Sequence, residues 1–373
     1  MIYIVHLIKI AAYFLICRVL YVQSKRSFKK KKERMTWMVL FLGAFLLGIY
    51  SIYITNPNLN LSHDRLNYYE RYSEFYDISL DSLGLNWLFE QLRPISLSAS
   101  FLWFSTAFLF VFITFVAFKY FKQASPYSLL FILCSIYFFF GFAGMKQSFA
   151  NAFGCFSFML YFNMPYLKER RKKWLSVFFI ILSIIAAILF HEVAMLLIVL
   201  YIAFLGWNNK WFRNLGWIFM VIAIVAFPYL SKILFADLAA LSESLEEQTA
   251  GYANQENGSV GNYMTVFKGL PYYIITYVGF MKRKQLLTSI VNYDRYLLLA
   301  ATVSLTTLAS YFNYWYFRFG MLMYLPVFVF SVALYENLSR VETPRKWLKA
   351  AYVVTVLLSV KELAQYYFIY GGI

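Results

Sequence analysis

Six short clusters of lysine and arginine punctuate long apolar runs, and that alternation limits what the chain can fold into. The first is the densest: Lys25, Arg26, Lys29 to Lys32 and Arg34 put seven cations in ten positions. The others are Lys119 with Lys122, Lys168 with Arg170 to Lys173, Lys210 with Arg213, Lys282 to Lys284 with Arg295, and Arg340 to Lys349; together the six hold 24 of the 34 cations. With 61% hydrophobic and 14% charged residues over 373 positions, the chain has too little polar surface for a soluble globule of its size. The bilayer is therefore its solvent, and the fold class is an all-α, polytopic integral membrane protein. The net charge of +16 reports orientation, because cytoplasmic loops collect Lys and Arg, and it gives no reason to expect nucleic acid as a partner. Cys17, Cys134 and Cys155 fall inside apolar runs without metal-ligand or CxxC spacing and read as small hydrophobes.

Placing every cluster on the cytoplasmic side demands an even number of crossings between neighbours. Tyr127 to Pro165 is 39 residues, about 58 Å as one helix against a hydrocarbon core of about 30 Å, so it predicts two spans turning near Gly141, Gly144 and Lys146. Trp174 to Gly206, about 50 Å and interrupted only by His191-Glu192, predicts a second hairpin. Leu297 to Tyr335, broken by Asn313 to Tyr316 and Arg318, predicts a third. Single spans are expected over Met35 to Ile54, Ser100 to Phe121, Leu215 to Phe235, Gly269 to Met281 and Ala350 to Phe368. Met1 to Val22 reads as a retained first span, because its basic cluster follows it. The expectation is one transmembrane domain over 1–373 with about twelve helices, GT-C-like in general plan. Both termini and two hydrophilic loops, 55–99 and 236–268, would lie outside.

Four constellations carry candidate chemistry, each with a plainer alternative. In Gly141-Phe-Ala-Gly144-Met-Lys146-Gln147, glycines permit close approach while a cation and an amide leave a helix start, which suits an anionic head group; snorkelling of Lys146 is the bland account. Phe190-His191-Glu192 is a polar break in 33 residues, able to supply a titrating imidazole and a carboxylate, or simply to mark an interfacial turn. Asn313-Tyr-Trp315-Tyr-Phe-Arg318 is either an aromatic belt or a sugar platform closed by a guanidinium that grips two phosphate oxygens. The first loop, with His63-Asp64-Arg65, Tyr68, Tyr72, Asp77 and Leu83 to Phe89, supplies flat rings and carboxylates for carbohydrate, or an amphipathic helix lying on the membrane.

Taken in order, these features resemble the EpsG family within the Wzy-type polysaccharide polymerases. Asp64, Tyr68, Tyr72 and the segment Leu83 to Leu92 are similar to the family's early outer loop; Gly144-Met-Lys146-Gln147-Ser-Phe-Ala150 to its Gly-rich turn and Arg-Gln-x-x-Ala helix start; Phe190-His191-Glu192-Val-Ala194 to its Phe-His-x-x-Ala start; Arg318 with Tyr324 and Pro326 to its late Arg-containing span. Two positions depart from the pattern: Lys146 stands where arginine is usual, keeping the charge and losing the fork, and Glu192 replaces a basic or polar residue. The resemblance implies a bacterial cytoplasmic-membrane glycosyltransferase joining polyprenyl-pyrophosphate-linked oligosaccharide repeat units into exopolysaccharide, capsule or O-antigen at the outer face. It implies neither cofactor nor metal. A flippase and a chain-length regulator of the same pathway are the partners to expect.

On that reading Arg318, Lys146 and Gln147 bind pyrophosphate; His191, then Glu192 or Asp64, is the base; Tyr68, Tyr72 and Trp315 bind sugar. The competing readings are a polysaccharide or lipid-linked oligosaccharide transporter, a membrane acyltransferase acting on sugars, and a scaffold of an export complex.

Overall fold

A computed structural model describes residues 2–29, 33–54, 63–74, 83–135, 138, 142, 144–207, 209–211, 214–215, 218, 266–311 and 315–368. The expected span Leu215 to Phe235 and the loop 236–268 lie outside the described residues apart from 215, 218 and 266–268, as do Gly141, Asn313 and Tyr314. Every regular element among the described residues is helical. In chain order they are α1 (Ile2–Lys29), α2 (Glu33–Ile54), α3 (His63–Glu74), α4 (Leu83–Leu92), α5 (Ala99–Tyr120), α6 (Pro126–Leu133), α7 (Met145–Asn163), α8 (Arg170–Phe190), α9 (Leu196–Gly206), α10 (Leu270–Leu286), α11 (Tyr293–Ala309), α12 (Trp315–Met321), α13 (Tyr324–Asn337) and α14 (Thr343–Phe368). Four of them, α1, α2, α5 and α8, are long and apolar enough to cross a bilayer unaided. The protein is thus an all-helical membrane protein.

The three double-length apolar stretches are each broken. α6 stops at Leu133 and α7 starts at Met145; α8 stops at Phe190 and a 3-10 turn, Glu192–Met195, leads into α9; α11 stops at Ala309, short of α12 and α13. Ring contacts give the directions. Phe149 and Phe153 near the start of α7 meet Phe190 at the end of α8, whereas Phe158 and Tyr161 meet Tyr201 and Phe204 of α9. α8 therefore runs antiparallel to α7 and α9 parallel to it, which makes α8 and α9 a hairpin tipped at His191.

A second set of contacts defines the opposite end. Lys119 meets Glu33 at 3.6 Å, Lys25 lies over the Tyr127 ring, and the Lys122 amide donates to Asn163. Gln123 donates to the Val291 carbonyl, and Lys282 reaches Glu342 at 2.6 Å. Arg283 grips Asp294 with two bonds of 2.6 and 2.8 Å, the bidentate geometry of a strong guanidinium–carboxylate pair. Five of the basic segments are thus drawn to one end of the bundle, the arrangement that cytoplasmic loops require. Tyr296 stacks on Phe162 and Phe330 near that end, so α13 runs toward it and α12 lies toward the other.

Lipid tails are as apolar as leucine, so burial alone does not hold such helices together; close packing and hydrogen bonds across helices do. α7 fits that need, with Ser148, Ala150, Ala152, Gly154, Cys155 and Ser157 all buried along it. Gly154 faces the Leu197 side chain and the Leu322 carbonyl, which puts α9 and the α12–α13 junction against the middle of α7.

The short helix α4 packs on α8 at the far end from the basic clusters. Gly84 makes this possible, since a Cβ there would sit 2.8 Å from the Phe190 ring and 3.1 Å from the Leu189 backbone carbon. Gly84→Ala should cost about 1–3 kcal/mol by overpacking. Thermal unfolding of the purified protein in detergent checks this, and an unchanged midpoint would mean that α4 does not press on the α8 tip.

Candidate functional site

Three helix breaks converge away from the basic end. α7 opens at Gly144, so Lys146 and Gln147 sit in its first turn, where the helix dipole favours negative charge. Phe149, one turn on, stacks on Phe190 at a centroid distance of 4.7 Å, which ties this turn to the neighbour of His191. The 3-10 turn Glu192–Met195 touches both α7 and α12, and α12 carries Arg318. Lys146, Gln147, His191 and Arg318 are far apart in sequence and come to one end of the bundle.

His191 is 9% exposed and has extended backbone, φ −157° and ψ 126°. Its Nδ1 accepts from the Val193 amide at 3.3 Å, capping the 3-10 turn. A neutral imidazole whose Nδ1 accepts carries its hydrogen on Nε2, so the ring presents a donor on its other side. Lys146 and Arg318 are both partly exposed. Gln147 is 7% exposed and donates through Nε2 to Asn151 Oδ1 at 2.7 Å.

The first loop supplies two helices. Tyr72 of α3 packs edge-on against Phe89 of α4 at 5.3 Å, and its hydroxyl donates to the Ser96 carbonyl. Arg93 closes the unit by donating to the Tyr72 and Arg71 carbonyls at 3.0 and 2.8 Å, taking up acceptors at the end of α3. Burial pushes the Tyr72 hydroxyl above the usual phenol range, and Arg93 draws it partly back. Tyr72 is fully buried and Tyr68 nearly so, which makes Tyr72 a packing element between the two helices. Asp64, Glu192 and Trp315 lie on described helical turns, and their side chains lie outside what the structure describes.

Against the Phe317 ring of α12 is a charged group that the sequence reading passed over. Lys268 Nζ lies 3.1 Å from Glu362 Oε1 with both side chains nearly buried, Lys361 reaches the same oxygen at 3.0 Å, and Lys268 sits 5.7 Å from the Phe317 ring. Glu362 falls in the expected last span, and a carboxylate at that position is itself the missed signal. Asn151 was missed too, although amides four residues apart on one helix share a face. Removing one partner of a buried ion pair strands the other charge, at a cost of about 3–5 kcal/mol. Glu362→Ala should lower the thermal unfolding midpoint accordingly, with Glu362→Gln falling less; midpoints equal to the parent's would show that the pair is not closed.

Among the described residues no three His, Cys, Asp or Glu side chains are grouped as a metal site. Neither a curated protein nor a solved structure matches the chain. The EpsG family profile does, over residues 49–367, a span that takes in α3 to α13 and every candidate site residue. The chain belongs to the EpsG family, whose members are Wzy-type polymerases acting in membrane polysaccharide biosynthesis.

Proposed function

We propose that the chain joins polyprenyl-pyrophosphate-linked oligosaccharide repeat units at the outer face of a bacterial cytoplasmic membrane. The observation that carries this reading is the meeting of the Lys146, His191 and Arg318 breaks at the end of the bundle opposite the basic clusters. A hydroxyl oxygen of the acceptor unit attacks the anomeric carbon of the growing chain, the bond from that carbon to the pyrophosphate oxygen breaks, and polyprenyl pyrophosphate leaves. The hydroxyl proton passes to a base. Full membrane topology on this reading has about twelve spans with both termini outside and the loops 55–99 and 236–268 exposed beside the site.

Arg318 and Lys146 neutralise the departing pyrophosphate. Arg318 brings a fork for two oxygens and Lys146 a point charge at a helix start. These cations do the work that a divalent ion would otherwise do, so chelators should leave the rate unchanged. His191, with Nδ1 held by Val193, acts best as a donor from Nε2 to a phosphoryl or bridging oxygen. The base is then a carboxylate, Glu192 or Asp64. Tyr68 and Trp315 remain the rings offered to sugar, while Tyr72 fixes α3, which carries Tyr68, against α4.

Two measurements test the reading. Purified protein incubated with lipid-linked repeat units alone should form a ladder of oligomers without nucleotide sugar or acyl donor; a transporter, acyltransferase or scaffold would form none. Arg318→Ala should lower the ladder-forming rate about 100-fold or more, as loss of one transition-state donor does elsewhere. Normal chain length from that variant would remove Arg318 from the site.

A further inference from the structure

The Gln147–Asn151 pair points to a sugar contact beside the pyrophosphate. The two amides lie one turn apart on a largely buried helix, 7% and 3% exposed. Gln147 spends its Nε2 on Asn151 Oδ1 at 2.7 Å, and its Oε1 is buried with no hydrogen-bond partner among the described residues. Neighbouring hydroxyls on α7 are satisfied: Ser148 donates to the Met145 carbonyl, and Ser157 donates to the Gly154 carbonyl while accepting from Tyr201. The Gln147 oxygen is thus an acceptor without a donor, in the first turn of α7, one residue from Lys146. Buried polar atoms are seldom left so, and an unpaired one marks a place where a partner arrives from elsewhere.

The chemistry of that partner follows from the atom that is left open. A pyrophosphate diester carries acceptor oxygens only and would repel a carbonyl oxygen. A sugar hydroxyl, or the N–H of an acetamido group, donates. We propose that Gln147 Oε1 accepts a hydrogen bond from the sugar attached to the pyrophosphate, and that Asn151 is a positioning residue that turns the amide oxygen toward it. This deepens the polymerase reading and rests on it. It also moves Gln147 from the leaving group to the sugar, where a site built to bond a hydroxyl discriminates strongly against a unit lacking it.

The test compares Gln147→Met with Gln147→Glu, using purified full-length protein and the lipid-linked repeat units that accumulate in a host lacking its polymerase. Methionine keeps the volume and removes the acceptor; glutamate keeps an acceptor and adds negative charge. Both should slow ladder formation. Methionine should do so by roughly tenfold to a hundredfold, the worth of one buried hydrogen bond, and glutamate should be the faster of the two by about tenfold. A phosphate contact at this position predicts the reverse order, because a carboxylate would repel the leaving group. That order, equal rates for the two variants, or a methionine variant as fast as the parent would each overturn the proposal. Unfolding midpoints of both variants are measured alongside, and Asn151→Leu, which frees the amide to turn, should raise KM more than it lowers kcat. A parent protein that forms no ladder sinks the polymerase reading and this inference with it, whereas an active parent with an equally active Gln147→Met sinks the inference alone.

Discussion

Inside a bilayer no water is at hand to bond a backbone N–H or C=O, so a helix can stop at membrane depth only where another part of the protein takes up the groups it exposes. The rest of the structure depends on this. α6 ends after eight residues, about 12 Å from its start, and the carbonyls at that end are claimed by other helices. Tyr13 of α1 donates to the Leu133 carbonyl at 2.5 Å, and Ser359 of α14 donates to that of Cys134. At the α8–α9 break the His191 ring takes the Val193 amide. Both of these interruptions are therefore fixed by hydrogen bonds, and two of the three partners come from far along the chain. A ligand site made of broken helices is in this sense a by-product of their repair: the same contacts that make a break tolerable set the orientation of the side chains beside it.

Charge is segregated along the same axis. At one end carboxylates meet the cations in pairs that reach the surface. Lys282, for example, holds Glu342 below the usual carboxylate range by donating to it. At the other end lie Lys146, Arg318, and Lys268 with Lys361 on a shared Glu362. A buried ion pair is weak evidence for stability, since desolvation of both groups offsets most of their attraction. Lys268 and Glu362 are better understood by where they sit, against the ring of Phe317, the residue before Arg318 in α12. The pair ties the turn before α10 to α14, against the Phe317 ring of the helix that presents the guanidinium.

Much of this was legible in the sequence, for a physical reason. Length against bilayer thickness forces the three long stretches to break, and polar residues are affordable only near the breaks. His191 and Gly144 therefore mark them to within a residue. Pairing between breaks was not legible, because it is decided by contacts such as Phe149 on Phe190 that no local pattern announces. Nor does composition separate a ring offered to sugar from one used in packing. Tyr68 and Tyr72 look alike in sequence, and only the fold shows Tyr72 spent on Phe89 and Ser96. The helix α10 also runs on through the basic segment to Leu286, longer than the thirteen apolar residues suggested.

The imidazole shows how packing limits chemistry. A histidine beside a glutamate in an apolar run invites the role of base, and its intrinsic pKa suits that role. To serve through Nε2 the ring would have to carry its hydrogen on Nδ1, where it would face the Val193 N–H in place of accepting from it. The turn that joins α8 to α9 would then lose its cap, leaving an N–H without a partner at the break. The arrangement that keeps the hairpin intact is thus the one in which His191 donates. On the proposed reading proton removal then falls to a carboxylate, and charge neutralisation to Arg318 and Lys146. Separating these tasks among residues on different helices has a further consequence: the reaction geometry exists only when α7, α12 and the His191 turn are packed together.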